Sequence, residues 1–252
     1  MLLVSGCWDF EIIPRSSMNT RNDRTKSSGR VKSKTPRGKI PLWIKIAYTA
    51  FLAVMVPIYW RDYGPTNFLY LCDAAAFLTL AALWCESPIL ASVPAVGIVL
   101  LQFIWVLDFC IHFAGLKITG ISDYMFDPQI PLFARGLSLF HGWLPFLLVY
   151  AVWRLGYDRR GLAIWVGLAW VLMLVSYFWM PPSGAVLANP KQPVNINHVF
   201  GVSDQAPQSW MPAWAWLLTL MLGLPLLIWW PTHLAFGRFF KTASSEKSVQ
   251  PL

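Results

Sequence analysis

The sequence predicts an all-α protein, a polytopic membrane protein built as a bundle of about six transmembrane helices. Three observations predict it. Of the 252 residues, 56% are hydrophobic and only 13% are charged, with mean hydropathy +0.51. A soluble domain carries about 25% charged residues. The apolar residues also gather into six blocks, at 40–60, 68–84, 89–113, 137–153, 162–180 and 212–236. Each is close to the roughly 20 residues that cross a bilayer as a helix. Finally, the chain has 15 Trp. Trp43, Trp60, Trp84, Trp153, Trp179, Trp210, Trp229 and Trp230 fall at block ends. There their amphipathic rings form the belts expected at the two headgroup levels.

The chain divides into a basic arm (1–39), a six-helix transmembrane domain (40–236) and a tail (237–252). Residues 15–39 hold nine Lys or Arg among many Ser and Thr, with no apolar period. Such a segment buries too little apolar surface to fold and is expected to be disordered. "VSGC" at 4–7 mimics a lipoprotein cleavage site, but the apolar run before Cys7 is too short for a signal peptide. Met18 offers an alternative start. The second block is the weakest, because it contains Cys72 and Asp73. The third is the longest, with Pro94 near its start. The four cysteines, Cys7, Cys72, Cys85 and Cys110, show no CxxC spacing. Neither a disulfide framework, a metal site nor a cofactor is read from them.

A basic arm beside a first span marks the cytoplasmic side. Six spans then return the carboxyl terminus to that side. The expected location is the cell membrane, with both termini cytoplasmic. Arg154, Arg159 and Arg160 share the inner side, and the arm faces anionic headgroups, worth about 1 kcal/mol per basic residue. Membrane lipids are therefore the expected partners, and nucleic acid is not.

This orientation gathers the unusual polar residues in the outer half. Asp108 and His112 share one face of the third span, four residues apart, with Cβ atoms about 6 Å apart. A charge inside a bilayer costs about 2.5–3.5 kcal/mol on insertion scales and marks a candidate functional site. Asp108 is expected to accept from His112 or from a neighbouring helix, facing a polar cavity. Thr66, Asn67, Cys72 and Asp73 open the second span and His141 the fourth. Asn195 and Asn197 lie in the long external segment 181–211. A thiol or hydroxyl nucleophile needs a base in reach, and the base needs an orienting group. Cys72, with Thr66 as the alternative, is the candidate nucleophile. His141 is the candidate base and Asp108 the orienting acid. Asn67, Asp73, His112, Asn195 and Asn197 are candidate binding residues, the asparagines because an amide donor can polarise a carbonyl oxygen.

The order "PTNFLYLCD" (65–73), "LDF" (107–109), "LFHGWLPFLLVYAVWRLGYDRR" (139–160), "NINHVFG" (195–201) and "WMPAWAWLLTLMLGLPLL" (210–227) resembles the YwaF-like integral membrane proteins. More distantly it is similar to eukaryotic transmembrane acyltransferases and to androgen-inducible hydrolases of fatty-acid esters. The resemblance covers about residues 40–236. It implies a six-helix bundle with a polar cavity, with Cys72 and His141 as the matching residues. Two positions depart from the pattern. His198 follows Asn197 where tyrosine is usual, and Tyr70 stands where a histidine often precedes the cysteine.

The residues therefore admit a lipid acyl hydrolase or acyltransferase, a small-solute transporter using Asp73, Asp108 and His112, or a non-enzymatic membrane component. The transporter reading lacks polar groups in the inner halves of the spans and any inverted repeat.

Overall fold

The computed structural model describes residues 39–116 and 119–240, so the basic arm up to residue 38 and the tail from 241 lie outside the described residues. The described chain is helical, with no strand. Helix α1 spans Leu42–Tyr63, α2 Leu71–Cys85, α3 Pro88–Phe113, α4 Leu132–Ser138, α5 Phe140–Leu155, α6 Gly161–Trp179, α7 Ala213–Leu224 and α8 Trp230–Phe239. Helices α4 and α5 run together as one apolar stretch of 24 residues. Helices α7 and α8 form another of 27, joined by a π-turn over Pro225–Trp229. Proline cannot donate to the helical ladder and its ring crowds the preceding turn, and a wider turn accommodates it.

Five helical stretches are thus long and apolar enough to cross a membrane. The sixth, α2, is apolar but has only 15 residues. The sequence places its start at 68, whereas the helix begins at Leu71. Gly64, with φ 80°, and Pro65 break the chain after α1. A 3-10 turn over Pro65–Leu69 then consumes the residues before α2.

Helix α3 is the central post. Buried residues make up 61% of its apolar window, against 17–33% in the other four long stretches. It packs on α2, α5, α6 and α8. Small residues permit these close approaches, as is usual where lipid supplies no hydrophobic drive between helices. Gly97 of α3 lies flat against the fully buried Trp165 of α6, and a Cβ there would overlap the indole. Trp165 in turn meets Trp229 of the π-turn edge-on at 6.1 Å. Gly97→Ala is therefore expected to push α3 and α6 apart, at a cost of about 1–3 kcal/mol. A lowered melting temperature in detergent, with Gly167→Ala as the unobstructed control, checks this.

The helices alternate in direction, so their ends fall into two groups. At one end Lys45 pairs with Glu86 at 2.7 Å, and Arg154 donates to the Lys39 carbonyl at 2.8 Å. There too Ser92 Oγ accepts from the Asp158 N–H, and Tyr157 bonds His233. Asp158 sits below the usual carboxylate range because the Arg160 guanidinium hydrogen-bonds to it. The other end carries the three long connectors, 64–70, 114–131 and 180–212. Every candidate site residue lies in this connector half.

Candidate polar site at the connector end

Asp108 is 4% exposed, and its carboxylate turns toward the connector that follows α3. Oδ1 accepts from the Thr119 N–H (2.9 Å) and hydroxyl (2.7 Å). Oδ2 accepts from the Ser122 N–H (3.1 Å) and hydroxyl (2.6 Å). The expected bond to His112 is replaced by these four. His112 instead places Nδ1 2.9 Å from Asp123 Oδ1, and its ring packs on Phe126 at 4.0 Å. The shared helix face is real, but the two side chains grip successive parts of one loop. Their job is to fold segment 119–126 back over the bundle.

That loop delivers Tyr124. Its phenol lies beside the Ser138 and Trp105 side chains and in the field of Tyr59 and Cys72. Burial raises its pKa well above the ordinary phenol value, so it stays protonated as a donor. Tyr59 exchanges a 2.7 Å hydrogen bond with Ser138 Oγ. His141, one turn on, holds the Ser138 carbonyl through Nδ1 at 2.8 Å and stacks on Trp105 at 5.2 Å. A ring nitrogen facing a carbonyl carries the proton, so Nε2 is left as the basic nitrogen. Cys72 and His141 thus border one cluster through Tyr124 and Ser138.

Further buried polar groups lie at the start of α2 and in the middle of α3. Asn67 donates to Asp73 Oδ2 at 2.9 Å. Asp73 Oδ1, Thr66 Oγ1 and both amide atoms of Gln102 are buried without a hydrogen-bond partner among the described residues. Asp73 lies 12 residues before the end of α2, roughly 18 Å, and Gln102 lies 14 after the start of α3, roughly 21 Å. The two buried groups therefore share one depth. Buried polar groups in proteins are nearly always paired, with water or ligand where the chain offers nothing.

Asn195 and Asn197 hold the roof. Both adopt left-handed backbone, φ 50° and 59°, which asparagine tolerates better than most residues. Asn195 is fully buried and ties its segment together through the Gly201 and Ser203 carbonyls and the Phe200 N–H. Asn197 caps α2: Oδ1 accepts from the Leu71 N–H (3.0 Å), while Nδ2 donates to the Leu69 carbonyl and to Ser176 Oγ. Asn197→Ala frees all three partners beside Cys72. A loss of about 1–3 kcal/mol is expected, measured as a lowered melting temperature with faster amide exchange at 71–74.

Sequence reasoning missed Tyr59, Gln102, Tyr124 and Ser138. Gln102 had a visible signal, an amide inside an otherwise apolar block. Tyr59 had none, because aromatic residues in such blocks read as anchors, and Tyr124 sits in a connector with no period to read.

Beside the polar cluster runs an open apolar groove of about 680 Å³ between α1 and the α4–α5 stretch, lined by Phe51, Leu132, Phe133, Gly136, Leu137, Leu139 and Trp143. Leu137 and Leu139 adjoin Ser138 in sequence, but the groove lies on the face of the α4–α5 stretch turned away from the Ser138 side chain. No group of three or more metal-ligating side chains occurs among the described residues. Compared with protein-family models, curated proteins and solved structures, the chain gives no match.

Proposed function

We propose that this protein binds a membrane lipid and acts on its acyl ester. The observation that carries the proposal is that one helical stretch, α4–α5, carries an apolar groove on one face and Ser138 and His141 of a buried polar cluster on another. The groove, at about 680 Å³, falls in the range of about 300–1,000 Å³ that organic ligands occupy, and the cluster holds buried polar atoms without partners among the described residues. An acyl chain lying in the groove brings its ester to the Tyr59–Tyr124–Cys72 region.

In this reading the Cys72 thiol is the nucleophile and His141 Nε2 takes its proton, directly or through water. The thiolate attacks the ester carbonyl, and the tetrahedral oxyanion accepts a hydrogen bond from the Tyr59 or Tyr124 hydroxyl. Collapse expels the lipid alcohol, which takes the proton back from His141. Water or a second alcohol then releases the acyl group from sulfur. The resemblance of the motif order to YwaF-like proteins supports the same pair of residues. The basic arm supports a cell-membrane orientation with both termini cytoplasmic, which would put the connector end outside.

The test compares lipid profiles of cells with and without the protein, and with Cys72→Ala, together with hydrolysis of a fluorescent acyl ester in nanodiscs. Loss of an esterified species that depends on Cys72 and on His141 supports the reading. Equal activity of Cys72→Ala, or no ester turnover at all, contradicts it. Reporter fusions at residue 190 and at the carboxyl terminus test the orientation and should report opposite sides.

A further inference from the structure

We infer that the end of the bundle opposite the long connectors docks an anionic phospholipid, with its phosphate on Arg159 and Arg238. This end lies opposite the Cys72 cluster, so the inference stands or falls apart from the ester reading above.

Charge first separates the two ends. Among the described residues this end holds Lys39, Lys45, Arg154, Arg159, Arg160 and Arg238 against Glu86 and Asp158, six cations to two carboxylates. The connector end holds three cations to six carboxylates among the described residues. Part of the positive excess is already engaged. Lys45 pairs with Glu86, Arg160 pairs with Asp158, and Arg154 donates to the Lys39 carbonyl. Arg159 and Arg238 are exposed, and neither joins an ion pair among the described residues.

The fold brings these two arginines together. Arg159 stands in the turn between α5 and α6, and its side chain reaches across to α8. Its Nε and Nη2 lie 3.9 and 4.0 Å from where a Cβ on Gly237 would stand. Arg238 is the next residue along α8, so its backbone adjoins the Arg159 guanidinium. His233, one turn before Gly237 on the same face, lies in the field of Arg159. Its 2.7 Å bond to Tyr157 ties α8 to the turn that carries Arg159. Two guanidinium groups so placed repel each other, and an anion between them removes that cost. The carbonyl end of α8 offers only about half a negative charge against two full positive ones. Guanidinium forks take phosphate oxygens in bidentate pairs.

Depth then selects a lipid. Trp43, Trp84, Trp153 and Trp230 all lie at this end and are 41–70% exposed. Exposed tryptophans at span ends mark the headgroup level, where a phospholipid carries its phosphate. Trp230 stacks on His233 at 5.5 Å and so borders the arginine pair. Leu234 and Phe239, 54% and 77% exposed, give acyl chains an apolar surface on the same helix.

The full chain, purified in detergent, is titrated with phosphatidylglycerol and phosphatidylcholine of identical acyl chains, and retained lipid is counted by native mass spectrometry. The choline ammonium offsets its own phosphate, so phosphatidylglycerol is expected to bind at least about tenfold tighter. Arg159→Gln and Arg238→Gln are each expected to weaken phosphatidylglycerol about threefold or more, and the pair together to abolish the preference. Phosphatidylcholine should be unchanged. Lys191→Gln removes one charge at the connector end and should leave the preference intact. Should the glutamine pair fail to fold, lysine at both positions carries the test. It keeps the charge and loses the fork, and is expected to weaken phosphatidylglycerol about threefold.

A lipid headgroup and a soluble phosphate share this chemistry, so inorganic phosphate is added in excess. Retention of the lipid supports the docking site. Displacement by phosphate assigns the arginines to a soluble anion and overturns the lipid source. Equal binding of the two lipids overturns the inference. So does a preference that survives loss of both arginines, which would assign it to other basic residues of the chain. A loss as large in Lys191→Gln, or no change in the lysine pair, overturns it too, since net charge alone would then explain the preference.

Discussion

Asp108→Leu is expected to unfasten segment 119–126 while leaving insertion of α3 efficient. Leucine makes the helix more apolar, so the membrane step is easier and not harder. The connector loses the acceptor of four hydrogen bonds, two of them from the backbone N–H groups of Thr119 and Ser122. Each buried donor left unpaired costs about 1–3 kcal/mol, and water recovers part of this at the exposed Thr119. A net loss of about 2–4 kcal/mol follows. Tyr124 would then leave Tyr59, Ser138 and Trp105. Amide exchange should accelerate over 119–126 far more than in α3 itself. Asp108→Asn should fall between the two, since one amide oxygen still accepts while the amide nitrogen faces donors. Unchanged exchange in the leucine variant would show that the loop is held by its apolar contacts alone.

The second large effect is expected at the opposite end. Glu86 accepts from Lys45 Nζ at 2.7 Å and from the Ile40 N–H at 3.1 Å. Lys45 is only 12% exposed along its side chain and also faces the Trp84 ring at 5.8 Å. Removing one partner of a buried pair costs about 3–5 kcal/mol, because the other charge stays behind. Partial exposure reduces this to about 2 kcal/mol for Glu86→Ala. Lys45→Met in the same chain should restore most of the loss, since the stranded charge is gone. Glu86 has φ 49°, so Glu86→Gly relaxes the backbone while still breaking the pair. Melting temperatures of the three variants and the parent chain in detergent decide this. No recovery in the double variant would assign the loss to the Ile40 bond instead.

The spans were legible because hydropathy acts over a whole block, so all six blocks fall within about five residues of the helices. The second block starts slightly before its helix, and for a local reason. The 3-10 turn that begins at Pro65 runs on through Leu69 and takes the block's first residues. The depth of a helix inside a bundle leaves little trace in its own hydropathy.

The site was half legible. Helical spacing placed Asp108 and His112 on one face, which holds. Their partners Thr119, Ser122 and Asp123 lie 11 residues beyond each helix position or thereabouts, in a connector with no period to read. Asn195 and Asn197 drew notice as amides in a loop. Their use as a knot and as the cap of α2 depends on left-handed backbone that composition does not reveal. Gln102 was visible as a lone amide in an apolar block, but its burial depends on the central position of α3, which its own segment does not encode.

The central claim is that groove and polar cluster take one amphiphile together. Photocrosslinking with a pair of matched phospholipids tests it most directly, one with a diazirine beside the ester and one with it near the end of the acyl chain. Peptide mapping should place the ester-proximal label on Tyr59, Cys72 or Tyr124 and the terminal label on Phe133, Leu139 or Trp143. Labels from both probes spread evenly over the outward faces of α6 and α7, with none in the cluster, would contradict the account.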